Sequence, residues 1–288
     1  MSHNPAAPVE IRAGALRLAL RPDLGGAVAG LWLGDLPVLR SVEPAVLQGP
    51  RQSGCFALVP YSNRLGYRRF RWQGREYTTA ANFDEGYPHS VHGSAWTQPW
   101  RVTQRDAHSA ELMFTQLSDA NWPFTFDVVQ RFELTDTSLT MRLHFTNIDA
   151  RTQPVGLGWH PYFPKRSRSR INIECNGRWE SDATTHLPTR RIAQTSIDGE
   201  VRHLDFDHCF EGWRGTARVR DEAISVALTS SLPYLVVYTP PTKDYFCIEP
   251  VSHVSNAIHM ADPAAHGLVG LAASETMQAW MKIEVTAA

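Results

Sequence analysis

Apolar and polar residues alternate along much of this chain, and a period of two predicts half-buried β-strands. In segment 138–147 every second residue is apolar and shares one face, namely Leu139, Met141, Leu143 and Phe145. The preceding segment, 124–134, is rich in Phe and Val, and Thr135–Thr137 connects the two. We therefore predict an antiparallel hairpin, with one face buried and the other in water.

The same alternation predicts further strands in the rest of the chain, at Ala15–Leu20, Ala27–Leu33, Tyr67–Trp72, Ala110–Gln116, Ile171–Cys175, Ala223–Leu228, Tyr234–Tyr238 and Gln278–Thr286. Turn signals between them, such as Pro22–Gly26 and Pro240-Pro241, leave little room for a long helix. Many short strands with frequent turns are typical of an all-β protein, a large antiparallel β-sandwich or barrel. We expect a tail over residues 1–9 and a single domain over residues 10–288.

The balanced charge of this chain argues against binding to nucleic acid or to a membrane surface. The 28 Lys and Arg residues nearly balance the 29 Asp and Glu residues, so no global field attracts nucleic acid or an anionic membrane. No apolar run approaches the ~20 residues of a membrane span, and the first residues do not resemble a secretion signal. We expect a cytoplasmic protein with a small-molecule substrate.

The four cysteines are widely scattered and are expected to be buried free thiols.

Several standard site motifs are absent from the sequence. It contains no Gly-rich phosphate loop, no GxSxG nucleophile motif, and no HExxH or His-x-His metal motif. The 12 histidines are scattered along the chain and are more typical of surface or core positions than of metal ligands. We expect no cofactor and no metal.

Four segments combine polar or ionisable groups with aromatic residues, Gly and Pro, and these are Pro60–Gly66, Val91–Trp96, Gly156–Pro164 and Phe246–Pro250. Glu249 follows an apolar strand end and precedes a proline, which places its carboxylate where burial would raise its pKa toward that of a general base. His160 can exchange a proton near neutral pH. By residue type alone, however, His160 and His92 are more often structural than catalytic.

Taken together, the four segments resemble the aldose 1-epimerases, or galactose mutarotases. That family shows an Asn-Arg, a His-Gly near a Trp, a His-Pro-Tyr-Phe, an Asp-x-x-Phe and a Glu-Pro. This chain has them in the same order, as Asn63-Arg64, His92-Gly93 with Trp96, His160–Phe163, Asp207–Phe210 and Glu249-Pro250. The resemblance covers residues 10 to 286 and implies a large two-sheet β-sandwich of the galactose mutarotase-like (supersandwich) type.

The resemblance also implies an activity, the interconversion of the α and β anomers of an aldose without a cofactor. Glu249 would be the general base and a protonated His160 the general acid, placed on opposite sides of the sugar ring. Sugar hydroxyls would be held by Arg64, His92 and Asp207, with Asn63 beside them and Trp96 or Trp159 stacked on the ring. The stretch Val251–Ala257 departs from many galactose-active members, so the sugar preference stays open.

Two alternatives remain at this point. The basic run Lys165–Arg170 can bind the phosphate of a hexose 6-phosphate, or it can be a solvated surface loop. A non-catalytic sugar-binding β-sandwich is the second alternative. The resemblance favours a monomer or a homodimer.

Overall fold

The computed structural model describes residues 7–288, which form strands joined by turns and short 3-10 helices. The strands, in chain order, are β1 (Val9–Ala13), β2 (Leu16–Arg21), β3 (Ala27–Leu33), β4 (Leu36–Pro37), β5 (Ala57–Leu58), β6 (Arg64–Leu65), β7 (Arg69–Trp72), β8 (Arg75–Thr78), β9 (Ser90–Val91), β10 (Arg101–Arg105), β11 (Ser109–Gln116), β12 (Phe126–Leu134), β13 (Ser138–Asn147), β14 (Gln153–Val155), β15 (Gly158–Trp159), β16 (Tyr162–Pro164), β17 (Arg170–Ile173), β18 (Gly177–Ser181), β19 (Pro188–Ala193), β20 (Ile197–Glu200), β21 (Asp207–Glu211), β22 (Thr216–Arg220), β23 (Ile224–Ser230), β24 (Tyr234–Tyr238), β25 (Tyr245–Val251), β26 (Val269–Leu271) and β27 (Thr276–Ala287).

The 3-10 helices within these residues are Pro44–Val46, Pro50–Gln52, Gly66–Arg68, Ala95–Thr97, Val201–His203, Ala257–His259 and Ala264–His266. Between residues 7 and 288, no helix has the length and apolar character needed to cross a membrane.

Two large antiparallel sheets dominate the fold. One has nine strands in the order β10-β11-β12-β13-β27-β23-β22-β17-β20. The other has eight, in the order β19-β18-β21-β24-β25-β15-β5, with β16 also paired to β25. Side chains from both sheets, such as Phe126 and Ile283 from the first and Leu235 and Phe246 from the second, belong to one buried apolar cluster. The sheets therefore pack face to face, which confirms the predicted all-β sandwich.

The predicted hairpin is present at the expected residues. β12 and β13 pair in register from Phe126 opposite Asn147 to Leu134 opposite Leu139, and residues 135–137 form the turn. Along β12 the buried and partly exposed positions alternate, so its apolar side chains enter the core. β3 and β24 also have their predicted bounds.

Strand β25 departs from this alternation, because every residue from Phe246 to Val251 is buried. Phe246 and Ile248 face the main core, whereas Cys247 and Val251 belong to a second buried cluster on the opposite face. Glu249 shares that second face with Cys247, two residues away. An acidic residue buried within a central strand is unusual enough to mark a candidate site.

Some predicted boundaries differ from the structure. Of the expected tail, residues 1–6 lie outside the described residues, while Val9 is buried and pairs with Leu20 at the start of β1. Tyr67 lies in a 3-10 helix with a left-handed φ of 56°, so strand β7 begins only at Arg69. Cys175 follows β17 and is half-buried rather than buried, whereas the other three cysteines are buried, and all four are free thiols.

Candidate active site

A cavity of about 790 Å³ lies on the second face of the eight-stranded sheet. This volume falls within the range of roughly 300–1,000 Å³ that is usual for small-molecule sites. Among the residues that line it are all seven predicted site residues, Asn63, Arg64, His92, Trp96, His160, Asp207 and Glu249. The fold therefore brings together residues that are widely separated in the sequence.

Strand register explains how the floor of this cavity forms. Asp207 on β21 lies opposite Tyr238 on β24, which lies opposite Cys247 on β25, which in turn lies opposite Tyr162 on β16. Directly opposed residues in an antiparallel sheet project to the same face. Glu249 follows two residues after Cys247 and so projects from this face as well.

Glu249 and His160 form the centre of the site. Nε2 of His160 is 3.4 Å from Oε1 of Glu249, and their side chains are only 10% and 3% exposed. Oε2 of Glu249 and Nδ1 of His160 have no hydrogen-bond partner among the described residues. At this distance the two groups lie side by side in the lining of the cavity.

The imidazole of His160 is part of a stack of flat groups. Phe56 lies against it with ring centroids 4.9 Å apart, and Tyr162 stacks on it at 4.4 Å. The guanidinium of Arg40 covers the Tyr162 ring, 3.8 Å from its centroid. This stack leaves the imidazole little freedom to rotate and directs its Nε2 edge at Glu249.

Burial disfavours charge on both members of this pair. Desolvation raises the pKa of Glu249 well above its ordinary value, and the nearby Asp207 raises it further. Desolvation, with Arg40 close by, lowers the pKa of His160 to about 3. Either charge is therefore costly in this site unless it is paired with its neighbour.

Arg64 is held from three directions. Its Nε donates to the hydroxyl of Tyr87 at 2.7 Å, its Nη1 to Oδ1 of Asn63 at 3.1 Å, and its Nη2 to Oδ2 of Asp207 at 3.2 Å. These charge-assisted bonds fix the guanidinium at the cavity wall. Asp207 is the more exposed partner of the ion pair, with 41% of its side chain accessible, which leaves it free to accept a further hydrogen bond.

His92 is oriented by the backbone. The N–H of Asn63 donates to Nδ1 of His92 at 3.1 Å, so the neutral ring carries its proton on Nε2 and can donate it. Burial and the proximity of His160 lower the pKa of His92 well below its ordinary value and keep the ring neutral. The next residue, Gly93, has a φ of +74°, and a Cβ there would lie 2.0 Å from the carbonyl oxygen of Val59. This tight approach requires glycine.

The segment that follows Glu249-Pro250 forms hydrogen bonds to residues of the site. Ser255 donates from its hydroxyl to Oδ1 of Asn63 at 2.9 Å, and Nε2 of His253 accepts from the N–H of Ser62 at 3.0 Å. Val251–Ala257 therefore helps to position Asn63. Its side chains shape the wall that carries Arg64.

Of the two tryptophans considered as stacking groups, only Trp96 lines the cavity. Trp96 stacks on Phe56 at 5.4 Å and donates from its indole nitrogen to the carbonyl of Val91 at 3.0 Å. Trp159 is fully buried and belongs to the main core. Trp159 therefore has no access to a ligand in this cavity.

The basic run Lys165–Arg170 contributes no lining residue to the cavity. Arg166 donates to Oδ2 of Asp221 at 2.6 Å, and Arg170 pairs with Asp198 at 2.9 Å. Of the two alternatives for this run, these contacts favour the surface loop over a phosphate site in the cavity. The run fixes a turn between strands through local ion pairs.

The sequence analysis missed several lining residues, including Phe56, Tyr87 and Arg40. Tyr87 lies in Phe83–His89, which combines aromatic and ionisable residues with a Gly and a Pro, the kind of signal that singled out the four segments. Arg40 has no such signal, because its place beside Tyr162 arises only from the tertiary fold.

Comparison with known proteins agrees with this geometry. Residues 8–284 match the aldose 1-epimerase family, to which the chain therefore belongs. It is 31% identical to the uncharacterised Escherichia coli (strain K12) protein YphB over 294 residues, which cover 94% of this chain and 96% of YphB.

Two crystal structures show the same fold. A candidate aldose 1-epimerase from Escherichia coli K12 matches with a TM-score of 0.88 and 29% identity, over 98% of this chain and 99% of that one. A galactose mutarotase-like protein from Clostridium acetobutylicum matches with a TM-score of 0.86 and 20% identity, over 98% of this chain and 95% of that one. The galactose mutarotase-like form of the predicted β-sandwich is thereby confirmed.

Proposed function

We propose that this protein is an aldose 1-epimerase that interconverts the α and β anomers of an aldose sugar. The observation that carries the proposal is the buried pair in the lining of the cavity, with Nε2 of His160 and Oε1 of Glu249 separated by 3.4 Å. The two oxygens that exchange protons in this reaction, the anomeric hydroxyl and the ring oxygen, are bonded to the same carbon. A pair of adjacent proton-transfer groups matches a pair of adjacent oxygens.

Ring opening transfers one proton from the sugar to the protein and another proton from the protein to the sugar. Glu249, as carboxylate, takes the proton of the anomeric hydroxyl while the bond between C1 and the ring oxygen breaks and C1 becomes an aldehyde. The ring oxygen keeps the electron pair and receives a proton from His160. After rotation about the C1–C2 bond, the same steps in reverse close the ring on the other face of the aldehyde.

The pair needs only one transferable proton in total. In the uncharged form, transfer of the Glu249 proton to His160 first restores the charged pair, after which Glu249 takes the hydroxyl proton and His160 delivers its proton to the ring oxygen. The two starting forms differ only in the position of that proton between two atoms 3.4 Å apart. Each properly placed acid or base contributes roughly 10²–10⁴-fold to the rate.

Sugar hydroxyls find donors and acceptors around this pair. Arg64 and the Nε2–H of His92 supply donors, Asp207 supplies an acceptor, and the rings of Phe56 and Trp96 line the same cavity. A sugar combines polar edges with apolar ring faces, so it matches this mixture.

Polarimetry of freshly dissolved pure anomers, corrected for the rate in buffer, tests the proposal. Glu249→Gln and His160→Asn should each lower the catalysed rate by about 10²–10⁴-fold while circular dichroism stays native. Glu76→Gln and His144→Asn change exposed residues outside the cavity and are the matched controls. Rates within about twofold of wild type in either cavity variant would refute the assignment.

A further inference from the structure

We propose that His160, Cys247 and Glu249 form a binding site for a borderline-soft divalent cation of the Zn²⁺ type, and that a metal bound there blocks anomer exchange. The inhibitory part rests on the proposed function, whereas metal binding itself does not. The ligand atoms of the three side chains all lie within 4.8 Å of one another, and all three residues are buried.

The geometry of the trio matches a tetrahedral metal. With Zn–N and Zn–O bonds of roughly 2.0–2.2 Å, two ligand atoms at a tetrahedral angle are roughly 3.4 Å apart. Nε2 of His160 and Oε1 of Glu249 are 3.4 Å apart without any metal. The Sγ of Cys247 lies within 4.8 Å of one ligand atom of each of the other two side chains.

Cys247 occupies a place where its sulfur can serve as a ligand. It is a free, fully buried thiol that lies in the strand register between Tyr238 and Tyr162, both of which line the cavity. Sulfur, imidazole nitrogen and carboxylate oxygen are the donors that Zn²⁺ accepts, while Mg²⁺ and Ca²⁺ prefer oxygen alone. The donor set therefore selects against the hard cations.

A buried carboxylate oxygen without a hydrogen-bond partner is a second, independent indication of a metal site. Oε2 of Glu249 is buried and has no hydrogen-bond partner within residues 7–288, and such atoms are rare in folded proteins. A divalent cation with one thiolate and one carboxylate forms a neutral group, so the metal would offset the penalty of burying both anions. His160 and Glu249 line the cavity, so a fourth ligand could reach the metal from there.

Metal and sugar would compete for the same atoms. A cation on Nε2 of His160 occupies the lone pair that exchanges protons, and the Glu249 carboxylate is then no longer free to act as a base. The sequence predicts no metal site here, because these ligands have no motif spacing. They meet only through strand register.

Direct binding to the chelator-treated protein tests the site without any sugar. Titration calorimetry with ZnCl₂ should show one site per chain, and CoCl₂ should give the near-ultraviolet absorption of a thiolate-bound cobalt ion. Cys247→Ala and Cys247→Ser should abolish that absorption and weaken Zn²⁺ binding by at least about tenfold, or about 1.4 kcal/mol. Cys175→Ala removes a more exposed thiol and should retain both signals, while MgCl₂ should not bind.

The outcomes separate the two proposals. Cobalt binding without a thiolate band, or equal Zn²⁺ affinity in wild type and both Cys247 variants, overturns the site. Tight Cys247-dependent binding in a protein that exchanges no tested anomers leaves the site standing and refutes the proposed function. In an active protein, Zn²⁺ should slow anomer exchange, a chelator should restore it, and added sugar should raise the Zn²⁺ concentration needed. A rate that Zn²⁺ leaves unchanged at saturation overturns the inhibition.

Discussion

Replacing Asp149 by Asn is expected to lower the free energy of unfolding by about 2 kcal/mol at neutral pH. Oδ1 of Asp149 accepts from the backbone N–H of Arg151 at 2.9 Å and from its Nε at 2.8 Å. Oδ2 accepts from Nη2 of Arg151 at 2.8 Å and from the backbone N–H of Thr125 at 3.1 Å. In the Asp149→Asn variant the side-chain NH₂ group would face N–H donors instead of accepting from them. The turn between β13 and β14 would therefore lose hydrogen bonds that hold it in place.

The magnitude follows from the pKa of the carboxyl group. Hydrogen bonds from the Arg151 side chain are the main cause that lowers the pKa of Asp149 from 3.8 to about 2. At about 1.36 kcal/mol per pKa unit, this corresponds to about 2 kcal/mol of stabilisation. The Asp149 side chain is only 9% exposed, so solvent screening removes little of it. Because the pKa of Asp149 is lower in the folded protein, its carboxylate stabilises the fold fully at pH values above the ordinary pKa of 3.8. This stabilisation disappears as the pH falls through about 4 toward 2.

Urea unfolding of wild type and Asp149→Asn, followed by tryptophan fluorescence at several pH values between about 7 and 3, measures this difference. Asp136→Asn is the control, because Asp136 is exposed at the β12–β13 turn and makes no side-chain hydrogen bond within the described chain. The two unfolding curves should approach each other below about pH 4. A difference under about 0.5 kcal/mol at pH 7, or one that does not narrow in acid, would refute the reasoning.

Two further predictions concern the cavity and its surroundings. Asn63→Ala should lower kcat/KM for the aldose by about 10- to 100-fold, mainly through KM, because Arg64 loses a charge-assisted partner. Initial rates over a range of sugar concentrations measure this effect, with Asn172→Ala on β17 as a control, and an unchanged KM would contradict it. Arg168→Ala should leave kcat/KM within about twofold for both a free hexose and a hexose 6-phosphate, because Arg168 is exposed and outside the cavity. A loss confined to the phosphorylated sugar would restore the phosphate role of the basic run.

Sequence pattern predicts this fold well where strands are long and half-buried. β13 and β24 have the bounds that the sequence predicts, and alternate side chains of both strands, such as Leu143 of β13 and Leu235 and Val237 of β24, face the main core. Short strands such as β5 and β15 carry no detectable alternation, since two residues cannot show a period. They are defined by their pairing with each other, which only the folded chain reveals.

The candidate site was predictable in its residues but not in its arrangement. Glu249 and His160 stand out through their neighbours and through the family resemblance, yet their side-by-side placement depends on where β15 and β25 meet. Cys247 looks like any buried thiol in the sequence. Its significance comes from strand register, which places it beside Tyr162. The cost of charging either member of the pair likewise follows from burial, and no sequence motif encodes burial.

The walls of the cavity come from segments that begin with Arg40 and end with Glu249, late in β25. During synthesis at the ribosome, a nascent chain that ends before residue 245 therefore has the arginines and His160 but lacks the carboxylate beside the imidazole. Such a chain also lacks the partner strand for β16 and β24. Any function that depends on the complete cavity therefore arises only after β25 has been added.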